Sequence, residues 1–175
     1  MKLKKKSVMG VSIMLILIVA IVGSTLGREL MQGEHPGLLS FGLIHFAGYL
    51  FFLLMPVEAL VPYYLAAGDS ASVLIGLSVT TALLAQTIDY GIGYVVSERV
   101  VDTLISREKF EKFKATFNKW GGWAIFTFNL FPLSSPNMML VSGILRYNPL
   151  KAFAISSSGL LLKYVVIVLL TDAVA

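Results

Sequence analysis

The sequence has no cysteine, few histidines and few charges. Without cysteine it can form neither a disulfide nor a thiolate metal site. Its two histidines, His35 and His45, belong to no cluster with the spacing of metal ligands. Charged residues make up 14% of the chain, whereas a soluble domain carries about a quarter. These shortages exclude most metalloproteins and argue against a soluble protein.

Recognisable catalytic patterns are missing as well. The sequence contains no nucleophile–base pair, no phosphate-binding loop and no nucleotide-binding motif. We therefore expect no enzymatic activity, no cofactor and no catalytic residue. The net charge of +4 is distributed as expected for anchoring at the cytoplasmic face of a membrane, so no nucleic-acid partner is predicted.

Apolar residues are abundant, at 57% of the chain, and they occur in long runs. A helix that spans a bilayer needs about 20 apolar residues, and several runs reach that length. The runs cover residues 7–26, 37–68, 70–97, 120–145 and 152–170. The sequence therefore predicts an all-α, multi-pass integral protein of the cell membrane.

Four lysines among residues 2–6 precede the first run and place the N-terminus in the cytoplasm by the positive-inside rule. A cleaved signal peptide is the alternative, but its apolar core would usually be about 7–15 residues long, and no clear cleavage site follows. We favour a retained first helix within residues 1–26 and an external loop at 27–36. Residues 37–175 would then form the main membrane domain.

Residues 98–119 hold six basic and four acidic residues, with apolar residues at helical spacing. This pattern predicts an amphipathic segment that lies along the cytoplasmic surface of the membrane. An ordinary solvated pair of helices is the alternative, and both interpretations put the segment in the cytoplasm.

Charge placement indicates that two apolar runs do not cross the membrane. If residues 37–68 crossed once, the helix after them would carry the basic segment to the outside, against the charge bias. Residues 120–145 likewise lie between positive charges at Lys119 and Arg146. We predict two re-entrant hairpins, near residues 45–68 and 120–145, although two proline-kinked spanning helices would also fit the sequence.

The two predicted hairpins share a pattern of two prolines followed by an apolar stretch and a glycine. The residues concerned are Pro56, Pro62 and Gly68 in the first hairpin, and Pro132, Pro136 and Gly143 in the second. If they enter from opposite faces, the hairpins form an inverted repeat. Transporter sites commonly lie where the broken helices of two such repeats meet near the bilayer midplane.

Five polar residues are candidates for a substrate or proton pathway: Glu58, Asp89, Asn129, Ser135 and Lys163. An acid inside the membrane costs about 2.5–3.5 kcal/mol on insertion scales, so Glu58 is expected to serve a function. Capping of exposed amides is the alternative for Glu58. Asp89 fits a functional or an interfacial position equally well. Lys163 could extend to the interface, or it could pair with Glu58 or Asp89.

Three short motifs follow one another at a characteristic spacing. They are Pro56-x-Glu58-x-x-x-Pro62 before Ala67-Gly68, then Tyr90-x-Ile92-Gly93, then Trp120-Gly121 with Phe131-Pro132, Gly143 and Phe153. In these motifs the sequence, over roughly residues 37–170, resembles the DedA family, also described as VTT-domain or SNARE-associated Golgi proteins. The resemblance implies two opposed re-entrant loops and movement of phospholipids or polyprenyl phosphates between leaflets. It also implies a role in membrane homeostasis or proton-dependent drug tolerance.

The sequence departs from the family pattern in its second loop. Similar proteins often carry arginine two residues before the Phe-Pro pair and three residues after its proline, where this chain has Asn129 and Ser135. The second loop therefore has no cation to meet a phosphate, unless Lys163 supplies one.

The sequence is compatible with three functions. The leading hypothesis is a lipid scramblase or flippase with membrane lipids as partners. The alternatives are a proton-coupled exporter of small solutes that uses Glu58, and a membrane organiser that binds partners through residues 98–119. Proton coupling and a homodimer are left open.

Overall fold

The computed structural model describes residues 37–50, 57–103, 106–131 and 135–174, with the side chains of 98–103 and 135–136 excepted. Within these ranges the chain is helical and contains no strand, so the all-α prediction is confirmed there. The predicted first helix, the external loop at 27–36, Pro56 and Pro132 lie outside the described residues.

The described chain forms six α-helices and one turn of 3-10 helix. The α-helices are α1 (Leu38–Leu50), α2 (Leu60–Ala66), α3 (Ala71–Thr103), α4 (Arg107–Leu130), α5 (Ser135–Ile144) and α6 (Pro149–Val174). The 3-10 helix, Val57–Ala59, leads directly into α2. Among the described elements, the order of a helix, a short helix and a long helix therefore occurs twice.

Two helices are long and apolar enough to cross a membrane, over Ala71–Ser97 in α3 and Pro149–Val174 in α6. At a rise of about 1.5 Å per residue, each is at least as long as the hydrocarbon core of a bilayer is thick. Large apolar side chains such as Leu84, Val95 and Leu169 are exposed on these helices. Such surfaces are unfavourable in water and suit contact with lipid.

The glycines of α3 and α5 bring the two backbones together. A side chain at Gly93 would collide with the carbonyl oxygen of Leu140, and one at Gly143 would collide with the carbonyl oxygen of Tyr90. Ser97 adds a hydrogen bond to the carbonyl oxygen of Ile144, at 2.6 Å. Close helix packing, which is the usual role of small residues in membranes, is thus what Gly93 and Gly143 provide.

The remaining helices pack in a crossed arrangement. Helix α1 lies on α3 and α4 lies on α6, while α5 lies chiefly on α3 and α2 contacts α6. Helices α3 and α6 run antiparallel, because Gln86 contacts Ser156 while Tyr90, further along α3, packs on the earlier Phe153. Helices α3 and α5 run parallel, because Gly93 contacts Leu140 while Ser97, one turn further along α3, bonds the later Ile144.

The short helices begin and end in similar ways. Pro62 and Pro136 lie in the first turns of α2 and α5, where the missing proline amide costs no helical hydrogen bond. Helix α2 ends at Gly68, whose φ of 98° allows the amide of Asp69 to bond Tyr64 O at 3.1 Å. Helix α5 ends in the same turn, with Arg146 at a φ of 52°. Gly143, which the sequence pattern paired with Gly68, lies three residues earlier and has the packing role described above.

The amphipathic segment predicted at residues 98–119 is not a separate unit. Residues 98–103 are the last turns of α3, and residues 107–119 form the first half of α4, which continues unbroken to Leu130. The Gly121–Gly122 pair does not end the helix, and no proline occurs between 107 and 131 while helical spacing of apolar residues continues. The charged residues therefore extend two of the long helices.

Candidate functional site

Helix α1 carries two polar aromatic residues on one buried face. His45 and Tyr49 are four residues apart, so they lie one turn from each other on the same side of the helix. Their rings stack with centroids 4.9 Å apart, and both side chains are buried.

Helix α6 places Lys163 against this face. The Lys163 ammonium donates a hydrogen bond to the Tyr49 hydroxyl at 2.6 Å and another to Glu58 Oε1 at 2.9 Å. Glu58 lies in the 3-10 helix that follows the undescribed residues 51–56. Of the partners that the sequence suggested for Lys163, the structure realises Glu58.

Further hydrogen bonds extend from this pair through the protein. The Tyr164 hydroxyl lies 3.1 Å from that of Tyr49 and 2.6 Å from His45 Nε2. His45 Nδ1 in turn lies 2.7 Å from Thr81 Oγ1 on α3. The result is a continuous polar chain, which we call the first polar cluster: Thr81, His45, Tyr164, Tyr49, Lys163 and Glu58.

The two charged groups of the first polar cluster differ in their exposure to solvent. The Lys163 side chain is 3% exposed, whereas the Glu58 side chain is 21% exposed. A buried ion pair is tolerated where its remaining polar atoms are hydrogen-bonded, and here the Tyr49 hydroxyl bonds both partners. Of the two charged groups, the Glu58 carboxylate is the one that a polar molecule can reach.

A second polar cluster joins α3, α4 and α6 through Gln86, Asn129 and Ser156. Gln86 Nε2 donates to Asn129 Oδ1 at 2.7 Å, and Ser156 Oγ donates to Gln86 Oε1 at 2.5 Å. Asn129 also donates to the carbonyl oxygen of Ile125 at 2.7 Å. All three side chains are fully buried. Asn129, a predicted pathway residue, thus stabilises the contact of three helices.

An apolar layer separates the two clusters. Leu160 lies on α6 between Ser156 and Lys163, which are seven residues apart, or about 10 Å along the helix. Leu160 is fully buried, together with Ala82 and Ala85 of α3. Polar groups therefore occupy two levels of the core, with apolar side chains between them.

The other sequence candidates lie elsewhere. Asp89 follows Gln86 by one turn on α3 and is 8% exposed. Ser135 is the first residue of α5. In the part of the chain that the structure describes, no group of three or more acidic, histidine or cysteine side chains could hold a metal ion.

Sequence reasoning missed the residues that complete the first polar cluster. His45 was considered only as a metal ligand, and Tyr49, Thr81 and Tyr164 were not singled out. The four-residue spacing of His45 and Tyr49 in an otherwise apolar run was the available signal.

Comparison with known proteins brings no relative: no family model, curated protein or solved structure matches this chain. The resemblance to the DedA family stays a prediction, and the function has to be argued from the geometry.

Proposed function

We propose that this protein is a membrane lipid translocase, a scramblase or flippase through which phospholipid or polyprenyl-phosphate headgroups cross the bilayer. The observation that carries the proposal is the buried Lys163–Glu58 ion pair, in which Glu58 lies directly before the short helix α2. Charged groups are costly at membrane depth and commonly mark the path of a polar substrate.

The proposed architecture has two re-entrant hairpins related as an inverted repeat. Three features support it: the element order that occurs twice, the crossed packing of the short helices, and the matching turns at Gly68 and Arg146. In each case a long helix begins three residues after the turn, at Ala71 and at Pro149. In such a repeat, the N-terminal ends of α2 and α5 would approach the midplane from opposite faces.

The chemistry of the ion pair suits a headgroup that carries both charges. The Lys163 ammonium can donate to a phosphate oxygen, and the Glu58 carboxylate can attract an amine or a quaternary ammonium. A zwitterionic headgroup could thus replace each partner of the ion pair by a group of the same sign. The acyl chains would remain in lipid beside α3 and α6, whose outer surfaces are apolar.

This chemistry leads us to expect broad headgroup tolerance. A lysine is a point charge without the planar bidentate geometry by which arginine selects phosphate. We expect fluorescent zwitterionic and anionic lipids to exchange between leaflets at similar rates in vesicles that contain the purified protein. No acceleration of either lipid relative to protein-free vesicles would refute the proposal.

A charge-neutral double variant separates a functional role of the pair from a structural one. We expect Lys163→Met combined with Glu58→Gln to insert and fold, because neither partner is left uncompensated, yet to lose most lipid exchange. The matched control is Lys151→Met, which removes an exposed lysine from the same helix. Full lipid exchange by the double variant would exclude the ion pair from the pathway.

A further inference from the structure

The surface between helices α4 and α5 holds an apolar groove of about 400 Å³. Four aromatic side chains of α4 and two aliphatic ones of α5 form most of its lining: Phe110, Phe113, Phe117, Trp120, Ile144 and Leu145. Phe113 is 60% exposed and Trp120 is 58% exposed, so no described part of the chain covers the groove. Exposed apolar surfaces of this kind mark sites of interaction with a partner or a membrane.

The groove is long enough to receive a lipid chain. The first and last lining residues on α4 are Phe110 and Ala124, which are 14 residues apart, or about 21 Å along the helix. One leaflet contributes half of the hydrocarbon core of a bilayer, or about 15 Å. An extended acyl chain therefore fits lengthwise between the two helices.

Helix α4 changes from charged to apolar along the groove. Residues 107–119 hold five basic and two acidic side chains, and residues 120–130 hold no charged side chain. Trp120 and Trp123 lie at this boundary, and tryptophan is enriched where a membrane meets water. One end of the groove thus lies among charged residues and the other among apolar ones, which matches the two ends of an amphiphile.

Basic side chains border the charged end of the groove. Lys109 and Lys114 each lie four residues, or one helical turn, from a phenylalanine that lines it. Neither lysine forms an ion pair within the described residues, whereas Lys112 pairs with Glu108 at 2.8 Å. Glu108 and Glu111 are not three or four residues from any lining residue. The border is therefore positive and complementary to an anionic headgroup.

We propose that this groove binds one membrane phospholipid with an anionic headgroup, which is retained and not transported. The acyl chain lies against the aromatic side chains of α4, and the headgroup phosphate accepts hydrogen bonds from Lys109 and Lys114. Basic residues next to a membrane attract anionic lipids in this way. The groove shares no residue with the Lys163–Glu58 ion pair, so this inference does not rest on the proposed function.

Quenching by brominated lipids tests the groove, because the two tryptophans of the sequence form a matched pair. Trp120 lines the groove, whereas Trp123 does not line it and is 69% exposed. Trp123→Phe and Trp120→Phe each leave one tryptophan, to be measured in phosphatidylcholine vesicles with a minor fraction of brominated phosphatidylglycerol or brominated phosphatidylcholine. We expect the anionic lipid to quench Trp120 several-fold more efficiently than the zwitterionic lipid, and the two lipids to quench Trp123 equally.

Neutralisation of the border tests headgroup recognition. Lys109→Gln combined with Lys114→Gln should abolish the preference for the anionic lipid. The control pair, Lys112→Gln combined with Lys151→Gln, should retain the preference. Both pairs remove two positive charges, but Lys112 is already paired with Glu108 and Lys151 lies on α6.

Three outcomes would overturn the proposal. Equal quenching of Trp120 by the two lipids would show that the groove is in contact with bulk lipid only. Protection of Trp120 from both lipids would show that protein, such as a second copy of the chain, covers the groove. Loss of the preference in the control pair as well would show that net charge attracts the lipid and that Lys109 and Lys114 do not bind its headgroup.

Discussion

Removal of both partners of the Lys163–Glu58 ion pair should destabilise the protein less than the sum of the two single removals. Breaking a buried ion pair from one side typically costs about 3–5 kcal/mol, because it leaves an uncompensated charge. The Glu58 side chain retains 21% exposure, so solvent can moderate the cost of Lys163→Met. We expect Lys163→Met to lower the free energy of unfolding by about 3 kcal/mol, at the low end of that range.

The Glu58→Gln variant leaves the uncompensated charge on Lys163, which is more deeply buried than Glu58. Glu58→Gln keeps a hydrogen-bond acceptor for Lys163 but removes its counter-charge, and Lys163 is 3% exposed. A cost of about 2–3 kcal/mol is expected, since a hydrogen bond to a charged group is itself worth about 1.5–3 kcal/mol and is partly retained. The loss in the free energy of unfolding of the double variant should then be about 2 kcal/mol smaller than the sum of the two single losses, because the two residues interact.

Equilibrium unfolding in mixed micelles, followed by the fluorescence of Trp120 and Trp123, would measure this cycle. Both tryptophans lie on α4, away from the ion pair. Lys151→Met serves as a control for the loss of one positive charge and should have little effect, because that lysine is exposed. Additive single effects, with a coupling energy near zero, would refute the compensated ion pair.

Three other predictions follow from backbone geometry and topology. Gly143→Val should prevent the contact of α3 with α5 and abolish the yield of folded protein in detergent. Gly76→Val should be tolerated, because the structure leaves open space at Gly76. Equal yields of the two variants would contradict the contact. Gly68→Ala should lower thermal stability by about 1–2 kcal/mol, because φ is 98° there; an unchanged melting curve would exclude the left-handed turn. In the hairpin topology, single cysteines at Asp69 and Lys151 should be labelled by impermeant reagents from opposite faces, and labelling from the same face would exclude it.

The sequence was informative about which residues are unusual and less so about their partners. Glu58 and Lys163 stand out as charges within apolar runs, and one suggested partner for Lys163 was correct. The use of Asn129 between three helices was not predictable, because a free amide and a hydrogen-bonded amide look the same in a sequence. The continuity of α4 through residue 120 was missed, since a change in charge density was interpreted as a change of element.

The pairing of Gly68 with Gly143 shows a similar limit. Both glycines follow an apolar stretch, but one permits a left-handed turn and the other a close helix contact. The counterpart of Gly68 at the end of α5 is Arg146, a residue that sequence patterns do not associate with a positive φ. The sequence pattern therefore located the two short helices, whereas the backbone conformation shows that Arg146, and not Gly143, corresponds to Gly68.

The backbone contact at Gly93 and Gly143 has a mechanical consequence. Where two backbones touch, neither helix can slide or rotate without raising steric energy steeply, so α3 and α5 should move as one stiff body. Helix α2 is a short segment with a smaller contact on α6. Any opening motion would therefore be concentrated around α2, on the side of the molecule where Glu58 is accessible, and the α3–α5 pair would act as the stationary frame.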